Sequence, residues 1–290
     1  MTILEFQIKD HLLSYAIKKP REYILIHPEY KLSLWQKARF WYANFQYKRG
    51  VPLAYITGHK EFFGLDFFVN RHTLIPRPET ELMVEAVIRN LESGIWNKAT
   101  IIDVGTGTGC IPISIVKTLK HENIRTFAID ISGSALKVAK KNAELHGVDI
   151  DFLHGNLLEP ILNDLSPALS SVEAERDVEP SPPQRRGQGE VYITANLPYL
   201  TAEQYKDEPS IQHEPKSALI ANENGLALYR ELLEQIKQLG HPFTAFFEFD
   251  PRQTEALTKL IKSFFPAANL EIKKDLAGRE RLAIVKNPES

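Results

Sequence analysis

Apolar and polar positions follow two different rhythms along this chain, and the change of rhythm divides it. Early on, Leu4, Ile8, Leu12, Leu13 and Ala16 recur at three- and four-residue spacing, the period of helices with one buried face. Ser33 reads as an N-cap before Leu34, and Gly50 as the stop of that helix. Trp35, Phe40, Trp41, Phe45 and Tyr47 fall inside it and read as the core of a small bundle. The spacing therefore predicts a helical unit over residues 1–50. Over residues 51–75, Phe62, Phe63, Phe67, Phe68 and Val69, broken by Gly64, predict a short β-hairpin linking two domains.

A stiff turn follows, Leu74-Ile-Pro-Arg-Pro-Glu-Thr-Glu81. Its prolines clamp Arg77, which suits that residue to lining a site, and Glu79 or Thr80 opens a helix over 82–91. From residue 99 strands alternate with helices, the signature of a parallel sheet covered on its faces. Strands are predicted at 100–104, 125–130, 151–154, 191–195, 243–249, 270–273 and 282–286, with helices such as 135–146 and 225–239 between them. The last two strands leave no room for a crossover helix, so they form an antiparallel hairpin through Ala277-Gly278. Residues 166–190 interrupt the order with Glu, Arg, Pro, Ser, Gln and Gly, and read as a disordered surface insertion between the third and fourth strands. The expected fold class is α/β: a seven-stranded Rossmann-like domain over 76–290 behind the helical unit and hairpin.

The chemistry concentrates at three strand ends. The first carries Gly105, Thr106, Gly107, Thr108 and Gly109 and then opens a helix. Glycines allow positive φ and let a ligand lie against main chain, while the helix start behind them has free N–H groups. Plain loops share this pattern. The next strand ends in Asp130, about 20 residues on, where a ribose-binding carboxylate belongs; the competing role is a cap for the helix that follows. After the fourth strand comes Asn196-Leu197-Pro198-Tyr199. Asn196 sits in the crevice at a strand end, Pro198 holds Leu197 extended with its carbonyl aimed alongside, and Tyr199 adds a flat face. The set forms a slot for a planar –NH₂ group.

Composition narrows the partners. A chain of 290 residues with net charge −2 has room for one large and one small domain, and no global basic field to attract nucleic acid. Its single cysteine, Cys110, excludes an intramolecular disulfide and a cysteine-rich metal site. There is no apolar run of membrane-spanning length and no charged-then-apolar leader, so a cytoplasmic, metal-independent monomer is expected.

The strand pattern, Asp-Val-Gly-Thr-Gly-Thr-Gly, the strand-end acid and Asn-x-Pro-Tyr together resemble class I S-adenosylmethionine-dependent methyltransferases acting on nitrogen. Pro52-Leu-Ala-Tyr-Ile-Thr-Gly58, Glu61-Phe-Phe-Gly-Leu65, the proline-clamped turn, His213-Glu-Pro215, Asn224-Gly-Leu226 and Asp275-Leu-Ala-Gly-Arg279 narrow this. They are similar to the peptide chain release factor N5-glutamine methyltransferases. The resemblance implies S-adenosylmethionine as cofactor, bound by residues 105–109, Asp130, Asn156, Leu157 and Asn196. It implies as substrate the glutamine of the Gly-Gly-Gln loop of release factors, held by Asn196, Leu197, Pro198, Tyr199 and Arg77, with the helical unit recognising the release factor. The chain departs from that pattern at three places. Leu197 replaces a proline, and Asn-Leu-Pro-Tyr itself resembles ribosomal RNA adenine dimethyltransferases, which makes adenine-N6 methylation of ribosomal RNA the alternative. Asn156 stands where an acid usually lies near the adenine amino group, and the 166–190 insertion is not typical of the family.

Overall fold

The computed structural model describes residues 3–93, 99–119, 124–162 and 190–288. The expected insertion therefore lies outside the described residues except for Glu190, which opens a strand.

Four helices come first: α1 (Ile3–Ile17), α2 (Arg21–Ile26), α3 (Leu34–Lys48) and α4 (Leu53–Thr57). Ser33 caps α3 through a reciprocal bond with Gln36, as the spacing predicted. Leu12, Ala43 and Ile56 form a small core, with Ile8, Phe40 and Tyr47 packed on it. The expectation that all five aromatics of α3 are core is corrected for three of them: Trp35, Trp41 and Phe45 are 86%, 68% and 54% exposed. Only the α3 face carrying Phe40, Ala43 and Tyr47, spaced by three and four residues, turns inward. The remaining aromatics lie off that face and stay in water.

Strands β1 (His59–Phe62) and β2 (Leu65–Phe68) form the predicted antiparallel hairpin. Phe62 and Phe67 pack it into the core of the larger unit, and one buried amide ties its backbone there. Asn142 accepts the Phe68 N–H at 2.8 Å and donates to the carbonyls of Phe68 at 3.0 Å and Thr108 at 2.9 Å. The hairpin and the glycine turn are thereby held to the same side chain.

Helix α5 (Glu81–Ser93) leads into β3 (Ala99–Val104), α6 (Cys110–Leu119), β4 (Ile124–Asp130), α7 (Gly133–His146) and β5 (Asp151–His154). After these come β6 (Glu190–Ala195), α8 (Ala202–Asp207), α9 (Ala227–Leu239), β7 (Phe243–Glu248), α10 (Thr254–Phe264), β8 (Asn269–Lys274) and β9 (Glu280–Asn287). The sheet runs β5-β4-β3-β6-β7-β9-β8, parallel except for β9, which pairs antiparallel with both neighbours. Apolar strand residues fill both faces, Ile102, Ile193 and Phe247 on one and Ile101, Tyr192 and Phe246 on the other, as a sheet covered by helices requires. Val104 pairs with Ile129 on one side and with Ala195 on the other. Strand order reverses between β3 and β6, so a crevice opens at their carboxyl ends.

The helix expected from residue 225 starts at Ala227 instead. Gly225 lies in the left-handed region at φ 87° and presses on the chain after β6. A Cβ there would stand 2.0 Å from the Tyr199 carbonyl oxygen and 2.1 Å from Gln253 Nε2. Gly225→Ala is expected to destabilise the protein by about 2–4 kcal/mol and to displace Tyr199. Urea melts together with turnover check this, and wild-type values in both would contradict the packing described.

Candidate active site

The glycine turn is built from three left-handed residues, Gly105, Gly107 and Gly109, with φ of 73°, 55° and 77°. A Cβ on Gly109 would sit 2.9 Å from Ile113 Cδ1 and 3.2 Å from Ala139 Cβ, so the turn packs tightly between α6 and α7. Its donors face inward. The N–H groups of Gly105 and Thr106 both bond to the Ile129 carbonyl at 2.9 Å, that of Gly107 to Asp130 Oδ2 at 2.8 Å, and that of Gly109 to Thr106 at 2.8 Å. These donors of the turn are thus spent within the protein; the free N–H groups were expected at the start of α6, behind it. Thr106 and Thr108 have buried side chains.

Asp130 closes β4 beside this turn. Its Oδ1 accepts the Ser132 N–H at 2.8 Å, and Ser132, not Asp130, caps α7 by accepting from Ala135. Each carboxylate oxygen takes one backbone N–H and keeps acceptor capacity. Burial raises the Asp130 pKa, opposed by the Ser132 and Gly107 N–H groups. Beneath the turn, Asp103 accepts Thr194 Oγ1–H at 2.6 Å, and burial pushes its carboxyl up to about 6.

Across the crevice, Asn196 donates Nδ2–H to Thr80 Oγ1 at 3.0 Å. Thr80 comes from the proline-clamped turn, and behind it lies Glu248, fully buried at the end of β7. Burial pushes Glu248 up to about 7, with Thr80 and Arg281 pulling it back. Asn196 Oδ1 and the Leu197 carbonyl make no hydrogen bond among the described residues. Leu197 does more than lend a carbonyl. Its side chain is buried under the glycine turn, 3.1 Å from where a Gly105 Cβ would stand, and its N–H donates to Tyr229 Oη at 3.4 Å. Tyr229 in turn bonds to the Glu248 carbonyl. A proline at this position has no N–H to give. The Tyr199 carbonyl accepts Gln253 Nε2–H at 3.0 Å, which fixes the end of the motif.

A cavity of about 500 Å³ opens outside the motif, with Leu74, Arg77, Pro198, Tyr199 and Arg252 among its walls. Both arginines are paired. Arg77 Nη2 donates to buried Glu214 Oε1 at 2.5 Å, and Glu214 Oε2 accepts the Ile75 N–H at 3.0 Å. Arg252 forks onto Asp250 at 2.8 and 2.6 Å. Asn156 and Leu157 follow β5; Leu157 is buried at φ 49°, and Asn156 donates to Glu231 of α9.

The structure thus brings Gly105, Asp130, Asn196 and the rest of the motif to one crevice, with Arg77 at its outer wall and Asn156 at its far side. Sequence reasoning missed Thr80, Glu248, Tyr229, Gln253 and Glu231. One signal was legible: Glu248 is an acid closing an otherwise apolar strand, as is Asp103 inside its own.

This sheet order, with β9 reversed and a glycine turn facing a strand-end asparagine, defines a class I S-adenosylmethionine-dependent methyltransferase. Residues 96–169 match the family model described as "Methyltransferase domain", and residues 9–58 match "PrmC N-terminal domain". The release factor glutamine methyltransferase of Enterococcus faecalis is 39% identical over 236 residues, covering 80% of this chain and 75% of its own length. Its counterpart from Bacillus anthracis is 30% identical over 275 residues, covering 93% and 89%. The chain belongs to the release factor glutamine methyltransferase family. Among solved structures, the catalytic domain of hMettl16 in complex with a MAT2A 3′UTR hairpin shares the fold at a TM-score of 0.54 and 16% identity, covering 78% of this chain and 76% of that one.

Two outcomes follow from the buried carboxyl chain. Thr80→Val removes the acceptor that orients Asn196, so kcat should fall by about tenfold or more while the affinity for S-adenosylhomocysteine holds; equal losses in both would assign Thr80 to folding instead. Glu248 holds its proton more tightly in the folded protein, so its stabilising share is complete below about pH 4.5 and is lost as pH rises through about 7. The melting temperature of Glu248→Gln should therefore gain on wild type between about pH 5 and pH 8. A constant gap would contradict the raised value.

Proposed function

We propose that this enzyme transfers the methyl group of S-adenosylmethionine to the side-chain amide nitrogen (N5) of the glutamine in the Gly-Gly-Gln loop of peptide chain release factors. The observation that carries the reading is the Asn196 carboxamide, tied by its Nδ2 to Thr80, while its Oδ1 and the Leu197 carbonyl accept no hydrogen bond among the described residues. Two acceptors side by side fit the two hydrogens of a primary amide. On this reading the chain divides into a helical unit (1–50) that recognises the release factor, a hairpin linker (51–75) and the catalytic domain (76–290).

The cofactor fits the remaining groups. Bare glycine backbone at residues 105–109 admits a ligand where side chains would collide, and Asp130 keeps acceptor capacity for ribose hydroxyls. Asn156, Leu157 and Asn196 complete that wall. When bound, S-adenosylmethionine supplies a methyl group on a positively charged sulfur. The protein's task is the nucleophile. An amide nitrogen is a poor one, because its lone pair is delocalised into the carbonyl. Asn196 Oδ1 and the Leu197 carbonyl hold the amide hydrogens, set the plane of the group and favour the nitrogen as it gains positive charge. Tyr199 and Pro198 close on that plane, with Arg77 at the outer wall. Positioning of this kind supplies up to roughly 7–11 kcal/mol. The N-methylated amide that forms is acidic and gives its extra proton to water without a tuned base.

The alternative, adenine-N6 methylation of ribosomal RNA, rested on Leu197. The Leu197 N–H bond to Tyr229 gives that residue a packing role independent of substrate. The two arginines beside the motif are paired with acids, which disfavours phosphate, and the exposed Trp35, Trp41 and Phe45 suit a protein partner. No helix among the described residues is long and apolar enough to cross a membrane. A monomer acting in the cytoplasm on a protein substrate completes the proposal.

Incubation with labelled S-adenosylmethionine, purified release factor and small-subunit RNA tests it. The label should map to the release factor glutamine and not to RNA; methyl transfer to adenine alone would overturn the proposal. Asn196→Ala should lower turnover by about 10²–10³ with a much smaller loss of cofactor affinity. By calorimetry Asp130→Ala should cost about 1.5–3 kcal/mol of cofactor binding, and unchanged binding would remove Asp130 from the site.

A further inference from the structure

The sheet order also places the far end of the nucleoside. Asn196 closes off β6, the glycine turn β3 and Asp130 β4, and β5 is the next strand out. A nucleoside with its sulfonium toward Asn196 and its ribose at Asp130 carries its base toward the end of β5. There the chain folds back against β4. His154 Nε2 bonds to the Ile131 carbonyl at 2.9 Å, and the Gly155 N–H donates to the Asp130 carbonyl at 3.2 Å. Ile131, immediately after Asp130, is 67% exposed and offers an apolar platform for a flat ring. Asn156 follows directly after Gly155.

Asn156 is a neutral amide whose donors are already committed. Its Nδ2 donates to Glu231 Oε1 on α9 and, at 3.5 Å, to Glu159 Oε1. One helical turn beyond Glu231, Gln235 accepts the Leu158 N–H at 2.6 Å. Helix α9 therefore grips the loop with two acceptor side chains, and Asn156 can present only its oxygen to the crevice. We propose that Glu231 is the specificity-determining acid of the cofactor's base pocket: it fixes Asn156 with Oδ1 as the acceptor for the exocyclic amine of adenine, and supplies a negative charge from α9 behind that neutral amide. Asn156 touches the base; Glu231 is a positioning residue. The inference rests on the methyltransferase reading above.

One consequence is counterintuitive. A carboxylate at position 156 would meet Glu231 at hydrogen-bonding distance, so adding charge to the loop weakens the pocket unless Glu231 is neutralised at the same time. Calorimetry on the full chain tests this with two ligands, S-adenosylhomocysteine and S-inosylhomocysteine, whose base carries a carbonyl in place of the amine. Wild type should prefer the amine by at least about tenfold. Glu231→Ala should weaken S-adenosylhomocysteine about tenfold and bring the two ligands within about threefold of each other. Asn156→Asp should likewise weaken S-adenosylhomocysteine, and Asn156→Asp combined with Glu231→Gln should restore it to within about threefold of wild type. Ligand-free melts identify any variant that has merely lost its fold, and the double variant then carries the test. Glu231→Ala with intact preference and affinity, or Asn156→Asp alone binding as well as wild type, would overturn the proposal. Wild type that binds neither ligand would instead remove the methyltransferase reading.

Discussion

Everything at this site depends on the register of β3 against its two neighbours. Val104 pairs with Ile129 and Ala195, so the glycine turn, Asp130 and Asn196 leave the sheet at one level, around one crevice. Side chains alternate along a strand, so a slip of one residue would turn Asp103 and Thr194 away from each other. Their 2.6 Å bond between adjacent buried strands marks the pairing from within. Asp103 sits fully buried with Oδ2 unpartnered, a local loss that the apolar faces around it must offset.

From that register the groups of the candidate site are fixed by elements distant in sequence. Thr80 comes from the turn before α5, Glu248 from β7, Tyr229 from α9 and Gln253 from the turn before α10. Each touches the Asn196–Tyr199 segment through a hydrogen bond or a buried charge. Gly225 allows the segment to lie against α9 with no side chain between. The hairpin joins the same assembly through Asn142, which reaches the glycine turn from behind. The segment is thus held by groups from four separate elements, two turns, a helix and a strand.

The sheet was legible in the sequence because its signals are local. Seven apolar runs, punctuated by glycine turns and caps, gave strands within one or two residues of those observed, and the short span between the last two required a reversed pair. Where contacts are long-range the sequence was silent. Asn156 and Glu231 are 75 residues apart, and Asn196 and Thr80 are 116 apart. No periodicity encodes either pair. The aromatic helix α3 misled for a different reason: composition suggested a core, yet a helix buries one stripe, and Trp35, Trp41 and Phe45 lie off it. The N–H groups of the glycine turn satisfy the carbonyls and carboxylate beside them, pairings that the glycine spacing alone does not encode.

The central claim is that Asn196 Oδ1 and the Leu197 carbonyl together grip both hydrogens of one primary amide. Such a slot accepts a nitrogen once. After transfer a methyl group replaces one hydrogen, and a second round would press that methyl against an acceptor oxygen. Intact-mass and fragment analysis of the release factor after exhaustive incubation reads this directly. A single methyl group on the glutamine nitrogen, with no second addition at any enzyme concentration, is the predicted result; a dimethylated nitrogen would contradict the two-acceptor geometry.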